Sequence, residues 1–366
     1  MLHNKTIAVV VPAYNEETQI GMVIEDMPDF VDKILVINDC STDNTAEVVK
    51  GYWATKKNKG KKIQNILTRK IEGRYDGAIR VLQELAIKEK EYFAPSEIVN
   101  DNPEEDRIIL INHLQNSGKG AGIATGYKWA KDHGIDCTAT MDGDGQMDPS
   151  ELESLCQPIT CDGVDYVKGN RLIHRSASHV IPKMRFFGNS ILSILTKLAS
   201  GYWSVSDTQT GYTTISNRAL NAIDLYKIYP KYGYPNDMLV KLNIALCTLK
   251  EIEIKPVYNV GEKSKMNINK VIPRISWLLL KSFFKRIWTR YFLRDFHPLF
   301  LLYNLSIILF FVSIPFLLKI LNHQFIYKTP ANPVTVLAFM FLAISSFQSL
   351  LFAMWMDIQD NERFYK

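Results

Sequence analysis

The sequence predicts an α/β fold built on a mostly parallel sheet, followed by interface helices and a two-helix membrane hairpin. Three observations carry this expectation. Short apolar runs alternate with helical patterns over the first two thirds of the chain. Segments rich in carboxylates, amides and glycine follow several of those runs directly. Two almost uncharged apolar runs of roughly two dozen residues, each long enough to cross a bilayer core, stand back to back further on.

The strand candidates are 7–11, 34–38, 108–112, 135–141, 165–168 and 252–257. Helical patterns at 18–27, 45–50, 120–131 and 149–155 separate several of them. In open sheets of this kind ligands bind beyond the carboxyl ends of the strands. Pro12 to Glu16, Asp39, Asn116 to Gly120 and Asp142 to Gln146 all follow strand candidates, so they are expected at one rim. Residues 51–107 fit less simply: a lysine-rich, turn-rich start, a helical pattern at 77–93 and an acidic loop at 100–106. They read as an inserted helix with mobile flanks.

Composition narrows the class. Of 366 residues 47% are apolar and 22% charged, ordinary for a globular protein, and the net charge of +5 includes no long basic block. Nucleic acid is therefore not an expected partner. The five cysteines lack C-x-x-C spacing, and Cys156 and Cys161 have no histidines grouped around them, so free thiols are expected rather than a zinc site. Met1 to Lys5 runs straight into a strand candidate that Pro12 interrupts, with no signal-peptide pattern. The soluble part, 1–270, is accordingly expected in the cytosol.

The apolar runs lie at about 298–321 and 333–356, within a membrane segment 297–358. Lys281, Lys285, Arg286, Arg290 and Arg294 precede the first, and the connecting loop offers little beyond Lys328. The positive-inside rule then places both ends of the hairpin in the cytosol. Between the soluble part and the spans, in 271–296, Ile275, Leu278, Leu279, Phe283, Ile287, Trp288 and Tyr291 alternate with Lys and Arg at helical spacing. That pattern suits amphipathic helices in the headgroup layer. It equally suits a helix packed on the soluble domain, and the two readings are compatible on different faces.

The segment Asp142-Gly-Asp144-Gly-Gln146 carries the chemistry. If extension persists past the strand, Asp142, Asp144 and Gln146 share one side. Three oxygen side chains there suit Mg²⁺ or Mn²⁺, which can take a diphosphate. A lone Asp-x-Asp is more often a turn. A calcium loop with Glu153 at its twelfth position fails because Met147 stands where that loop needs glycine.

The order of motifs adds a family. Val-Val-Val-Pro12-Ala-Tyr14-Asn15-Glu16-Glu17, Asn38-Asp39-Cys-Ser41-Thr-Asp43, Asn116-Ser-Gly118-Lys119-Gly120 and Asp142-Gly-Asp144-Gly-Gln146 resemble glycosyltransferase family 2. The resemblance runs to about residue 270 and implies the GT-A nucleotide-sugar fold. Val167-Lys-Gly169-Asn-Arg171, Asp207-Thr-Gln-Thr-Gly211-Tyr212 and Gly261-Glu-Lys263-Ser264-Lys265 look like segments of the dolichol-phosphate mannose synthases and related polyprenyl-phosphate transferases, which also carry two C-terminal spans. The Gln-x-x-Arg-Trp motif of processive polysaccharide synthases does not occur. Two departures stand out. The 51–107 insertion is larger than the resemblance predicts, and Asn259 and Val260 replace the arginine expected before Gly261.

The resemblance assigns roles. A nucleoside-diphosphate sugar is the donor, polyprenyl phosphate the acceptor and the bilayer a partner; self-association is left open. Pro12, Tyr14, Glu16 and Asp39 are expected to hold base and ribose, with Lys119 and Asp142 at the donor and Asp142, Asp144 and Gln146 at the cation. Asp43 reads as a helix cap, and Asp39 has that reading as its alternative. The glycines at 118–122 suit a close backbone approach to the donor at a helix start, where N–H groups favour anions. Arg171 and Arg185 are candidates for phosphate recognition and, with Asp144 and Asp237, for the catalytic set. Arg185, Lys263, Ser264 and Lys265 are expected at the acceptor phosphate. Tyr232-Gly-Tyr-Pro-Asn236-Asp237 is closer to the acidic motif of transferases that act on hydroxyls. There Asp237 would be a general base; it could instead be a first-turn helix acid. A sugar nucleotidyltransferase would need a glycine-rich turn in place of Pro12-Ala-Tyr-Asn-Glu, and a catalytically dead adaptor would not need Asp142, Asp144 and Gln146.

Overall fold

In the computed structural model, which describes residues 1–55, 58–68, 73, 76–177, 183–257 and 268–366, the apolar runs pair into one eight-stranded sheet. Its strands are β1 (Ile7–Ala13), β2 (Lys33–Asn38), β3 (Ser96–Ile98), β4 (Ile108–His113), β5 (Cys137–Thr140), β6 (Tyr166–Asn170), β7 (Thr213–Ser216) and β8 (Leu249–Glu253). The spatial order is β3-β4-β2-β1-β5-β7-β6-β8. β1, β2, β4 and β5 are mutually parallel, as are β6 and β8, whereas β3 and β7 run against their neighbours. The mostly parallel sheet is as expected; β3 and β7 were not legible. β7 reads Thr-Thr-Ile-Ser, and its hydroxyls tolerate burial because Thr214 Oγ1 donates to the Leu155 carbonyl at 2.8 Å and Thr213 Oγ1 meets Thr140 Oγ1 at 2.7 Å. β8 begins three residues before the expected 252–257 run.

The central strands are continuous apolar runs because both faces are covered. Ala8, Val10, Leu35, Ile37, Ile109 and Ile111 face one core; Ile7, Val9, Val11, Ile34, Val36, Ile108 and Leu110 face the other. That is the period of two expected of a strand. The covering helices are α1 (Ile20–Glu25), α2 (Thr45–Gly51), α3 (Gly77–Lys88), α4 (Lys119–Asp132), α5 (Leu152–Thr160), α6 (Lys183–Ser200), α7 (Asn217–Ala222) and α8 (Tyr234–Ile244). α3 belongs to the insertion and buries only Ala86. The acidic loop behind it is pinned rather than loose. The buried Lys33 ammonium donates to the carbonyls of Glu104 and Asp106 at 2.8 and 2.6 Å, and Arg107 reaches the Pro28 and Val31 carbonyls at 2.7 and 3.0 Å.

α9 (Ile268–Trp288) packs on the soluble domain by one face and leaves apolar residues exposed on another. Ile275, Leu279, Phe283 and Ile287 are buried in a cluster with Leu192, Ala199 and Val240, while Trp277, Leu280, Phe284 and Trp288 remain exposed. α10 (Pro298–Asn322) and α11 (Pro333–Glu362) follow, each long and apolar enough to cross a membrane, and their most apolar stretches are only 17% buried. Ser306 and Ser346 join them by reciprocal hydroxyl-to-carbonyl bonds of 2.9 Å, the small polar contact suited to helices in lipid.

Two of the basic residues counted before the first span are not surface charges. Arg286 is fully buried and grips Asp357 of α11 with two bonds of 2.7 and 2.8 Å, while its Nε and second Nη donate to the Ala199 and Leu198 carbonyls. Arg290 is buried against Asp360, Asn243 and Asn361. α11 outruns its expected end at 356 because these partners let a polar turn continue into protein instead of lipid. The chain then returns to the sheet: the Leu249 N–H donates to the Phe364 carbonyl and the Lys366 N–H to the Leu249 carbonyl.

Candidate active site at the carboxyl edge of the sheet

The carboxyl ends of β1, β2, β4 and β5 bring Pro12 to Glu17, Asp39, Gln115 to Lys119 and Asp142 to Gln146 to one rim. The loop after β1 is fixed by the loop after β2. Asn15, at φ 55°, accepts from the Thr42 N–H at 2.8 Å, and the Glu16 N–H donates to Thr45 Oγ1 at 2.9 Å. The Glu17 N–H donates to Asp43, which also accepts the N–H of Thr45, the first residue of α2. Asp43 thus caps as expected, and Tyr14 is left 37% exposed on this loop.

Asp39 is a hub rather than an open carboxylate. It is buried and accepts from the Ser117 and Gly118 N–H groups at 2.8 and 2.7 Å and lies 2.8 Å from His113 Nδ1. Burial alone would raise its pKa, but the hydrogen bonds from His113, Ser117 and Gly118 outweigh burial and hold it below the usual carboxylate value. His113 Nε2 in turn meets Thr125 Oγ1 at 2.9 Å. Sequence reasoning passed over His113, which reads as the end of a strand; only its register beside β2 reveals the partnership.

The glycines at 118–122 do make a close approach, but to protein. A Cβ on Gly120 would sit 2.0 Å from the Tyr229 carbonyl oxygen, and one on Gly118 would sit 2.6 Å from that of Pro230. The Gly120 and Ala121 N–H groups donate to the Pro230 carbonyl at 2.8 and 3.2 Å. The start of α4 is therefore already capped, which corrects the expected anion seat. What the loop presents to the rim is the Lys119 ammonium, 2.6 Å from Asp142 Oδ2.

Extension does not persist beyond Thr140. A turn at Gly143 and Asp144, with Gly145 at φ 74°, brings the carboxylates of Asp142 and Asp144 within electrostatic reach of one another. Burial first, then the Asp142 charge, pushes Asp144 up to about 6; Glu16 adds to the push, while Lys119 and a 3.0 Å bond from the Gln146 N–H oppose it. Among the described residues no three His, Cys, Asp or Glu side chains form a closed cage. The donor set still fits a hard divalent cation of the kind bound by one or two carboxylates plus substrate phosphates. Asp142 and Asp144 lie close enough to repel, and the Lys119 ammonium offsets part of that charge. Glu153, the would-be calcium ligand, lies exposed on α5.

Arg171 departs from expectation, and Asp237 takes the helical alternative that the sequence left open. The Arg171 fork holds the buried Asp207, with Nε at 2.9 Å and Nη at 3.2 Å. Burial would raise the Asp207 pKa, but Arg171 outweighs it and keeps the carboxylate ionised. Asp207 also accepts the Gln209 and Thr210 N–H groups, and buried Lys168, drawn down to about 8 by burial, donates to the Thr210 carbonyl. Arg171 thus shapes the loop before Gly211. Asp237 is the first-turn acid of α8, paired with Lys241, and it accepts the Tyr229 N–H at 2.8 Å. It braces the strand of chain that caps α4, with both bonds falling on Oδ2. Arg185 lies on α6, its side chain outside the described residues, as are Lys263, Ser264 and Lys265.

The glycosyl transferase family 2 model matches residues 8–79 and 94–224, spanning every rim segment above. The chain belongs to that family. It is a glycosyltransferase, and its mixed, mostly parallel sheet is the GT-A fold. Among its relatives is a UDP-N-acetylglucosamine–dolichyl-phosphate N-acetylglucosaminyltransferase of Methanococcus voltae, 27% identical over 70% of this chain and 87% of the relative. An undecaprenyl-phosphate mannosyltransferase of Micrococcus luteus is 24% identical over 71% and 87%. A dolichyl-phosphate β-glucosyltransferase of Trichomonas vaginalis is 24% identical over 77% and 75%. Glucosyl-3-phosphoglycerate synthase of Mycobacterium tuberculosis is a looser structural likeness, with a TM-score of 0.47 and 18% identity over 77% of this chain and 81% of that one.

Proposed function

We propose that the chain is an integral membrane enzyme that moves one sugar from a nucleoside diphosphate to a polyprenyl phosphate, with inversion, on the cytosolic face. The acceptors in the names of its relatives support the substrate class. The observation that carries the choice is Asp237. A hydroxyl acceptor needs a base, yet Oδ2 of Asp237 is held by both Lys241 and the Tyr229 N–H, which favours a bracing role for this acid. A polyprenyl phosphate is already an anionic nucleophile and needs only positioning and neutralisation.

Asp142 and Asp144, with Gln146, would hold Mg²⁺ or Mn²⁺. Such a cation supplies Lewis-acid neutralisation of the departing diphosphate. The chain's own residues do the rest. Tyr14 offers an aromatic face to the base, and Glu16 accepts from ribose hydroxyls. Asp39 holds the 115–119 loop so that Lys119 faces the diphosphate. Arg185, Lys263, Ser264 and Lys265 would meet the acceptor phosphate. The exposed Lys281, Lys285, Arg294 and Arg363 support the cytosolic orientation now that Arg286 and Arg290 are set aside. The deciding experiment is a donor screen with purified protein and polyprenyl phosphate, read by the mass of the lipid product. Sugar-phosphoprenol of the donor's sugar is expected. Glycosylation of a hydroxyl lipid alone would overturn the reading.

A further inference from the structure

Tyr234 opens α8 with its ring in the core and only 2% of its surface exposed. Its hydroxyl is buried and has no hydrogen-bond partner among the described residues. Buried hydroxyls are nearly always satisfied, so an orphan beside an active site points to something that arrives. The hydroxyl lies against Gly211. A Cβ on Gly211 would sit 2.6 Å from that oxygen, 3.5 Å from Met147 Cε and 3.6 Å from the Lys119 ammonium. Hydroxyl and ammonium thus both lie close to one point beside Gly211. The ammonium is 5.9 Å from the centre of the Tyr234 ring and 2.6 Å from Asp142.

An ammonium only donates hydrogen bonds, whereas a phenol oxygen both accepts and donates. A divalent cation and Lys119 compete for the same Asp142 oxygens. Displaced, Lys119 needs another acceptor, or it leaves the rim for water and its charge is lost to the diphosphate. We propose that the Tyr234 hydroxyl is the second seat of the Lys119 ammonium, occupied when a divalent cation and a nucleoside diphosphate take Asp142. In that seat the ammonium donates one N–H to the Tyr234 oxygen and keeps its others for phosphate oxygens. Tyr234 is then a positioning residue, acting through Lys119. The inference rests on the metal-dependent reading above.

The test uses the full chain in detergent and Mn²⁺ alone, with free Mn²⁺ counted by its electron paramagnetic resonance signal. Tyr234→Phe should leave the melting temperature in EDTA unchanged or raised, because it removes a group that makes no bond. It should weaken Mn²⁺ binding roughly tenfold, the scale of one hydrogen bond to a charged group. Lys119→Met should tighten Mn²⁺ binding by removing the rival cation, and in that background Tyr234→Phe should have no effect. Unchanged Mn²⁺ affinity in Tyr234→Phe, or equal losses in both backgrounds, would overturn the proposal and leave the metal site standing. A wild-type chain that takes up no Mn²⁺ would overturn the metal reading and this inference with it.

Discussion

Lys119–Asp142 and Arg286–Asp357 have almost the same length, 2.6 and 2.7 Å, and different roles. The first joins side chains that are 28% and 17% exposed; both partners of the second are 0% exposed. Water reaches the Lys119 pair, so parting it costs little and each partner can be resolvated or handed to a ligand. No water reaches the Arg286 pair. Its guanidinium is satisfied by Asp357 and two carbonyls, and Asp357 also accepts from Trp203 Nε1 and the Tyr291 hydroxyl. Desolvation makes such a pair costly to form and far costlier to break. Solvent access and the remaining partners, more than distance, separate a replaceable ion pair from a fixed one.

The largest expected effect is on the replaceable side. Asp142→Ala and Asp144→Ala should each lower transfer by at least ~10³-fold, the scale of losing preorganised charge stabilisation, while melting temperature holds. Full activity in EDTA would break this half of the comparison. On the fixed side, Arg286→Ala should destabilise the protein by about 3–5 kcal/mol by leaving the buried Asp357 charge without its counter-ion, whereas Arg286→Met with Asp357→Leu should recover most of that. Thermal unfolding in detergent reads both, and a mild Arg286→Ala would show the pair to be hydrated after all.

Asp237→Asn should keep transfer within about tenfold of wild type, since a braced acid is replaced by a near isostere; a general base would cost roughly 10²–10⁴-fold. Transfer to polyprenyl phosphate at saturating donor is the assay. The smallest effect is on pH. Asp144 is raised from 3.8 to about 6, so the folded, metal-free protein binds a proton more tightly than the unfolded chain. Its stability should rise as pH falls through about 6 and level off below the ordinary carboxylate value. Mn²⁺ affinity should fall over the same window, because the proton and the cation compete. Asp144→Asn should remove both trends.

What was legible in the sequence was local. Ile7 to Val11 and Ile108 to Asn112 announce buried parallel strands by composition alone, and the motif order announces the rim. The hidden parts depend on residues distant in sequence. Arg286 and Asp357 are 71 positions apart, so the arginine reads as a topology signal until its partner is in place. Asp39 reads as a ligand for ribose until His113, Ser117 and Gly118 are seen around it. Gly118 and Gly120 announce a close approach but not to what, and the answer is the chain at Tyr229 and Pro230. β7 escaped because buried threonines carry no apolar signal.

The pairing of Phe364 and Lys366 with Leu249 has a consequence for biogenesis. Phe364 fills part of the core beneath the sheet, and the Leu249–Tyr365 bridge extends the sheet past β8. Ribosomes deliver that segment only after both apolar helices have been synthesised, so this border of the catalytic domain is completed last. Without that segment Leu249 would lose both of these backbone partners. The catalytic sheet and the apolar helix pair are thereby tied together at both ends of the helical segment.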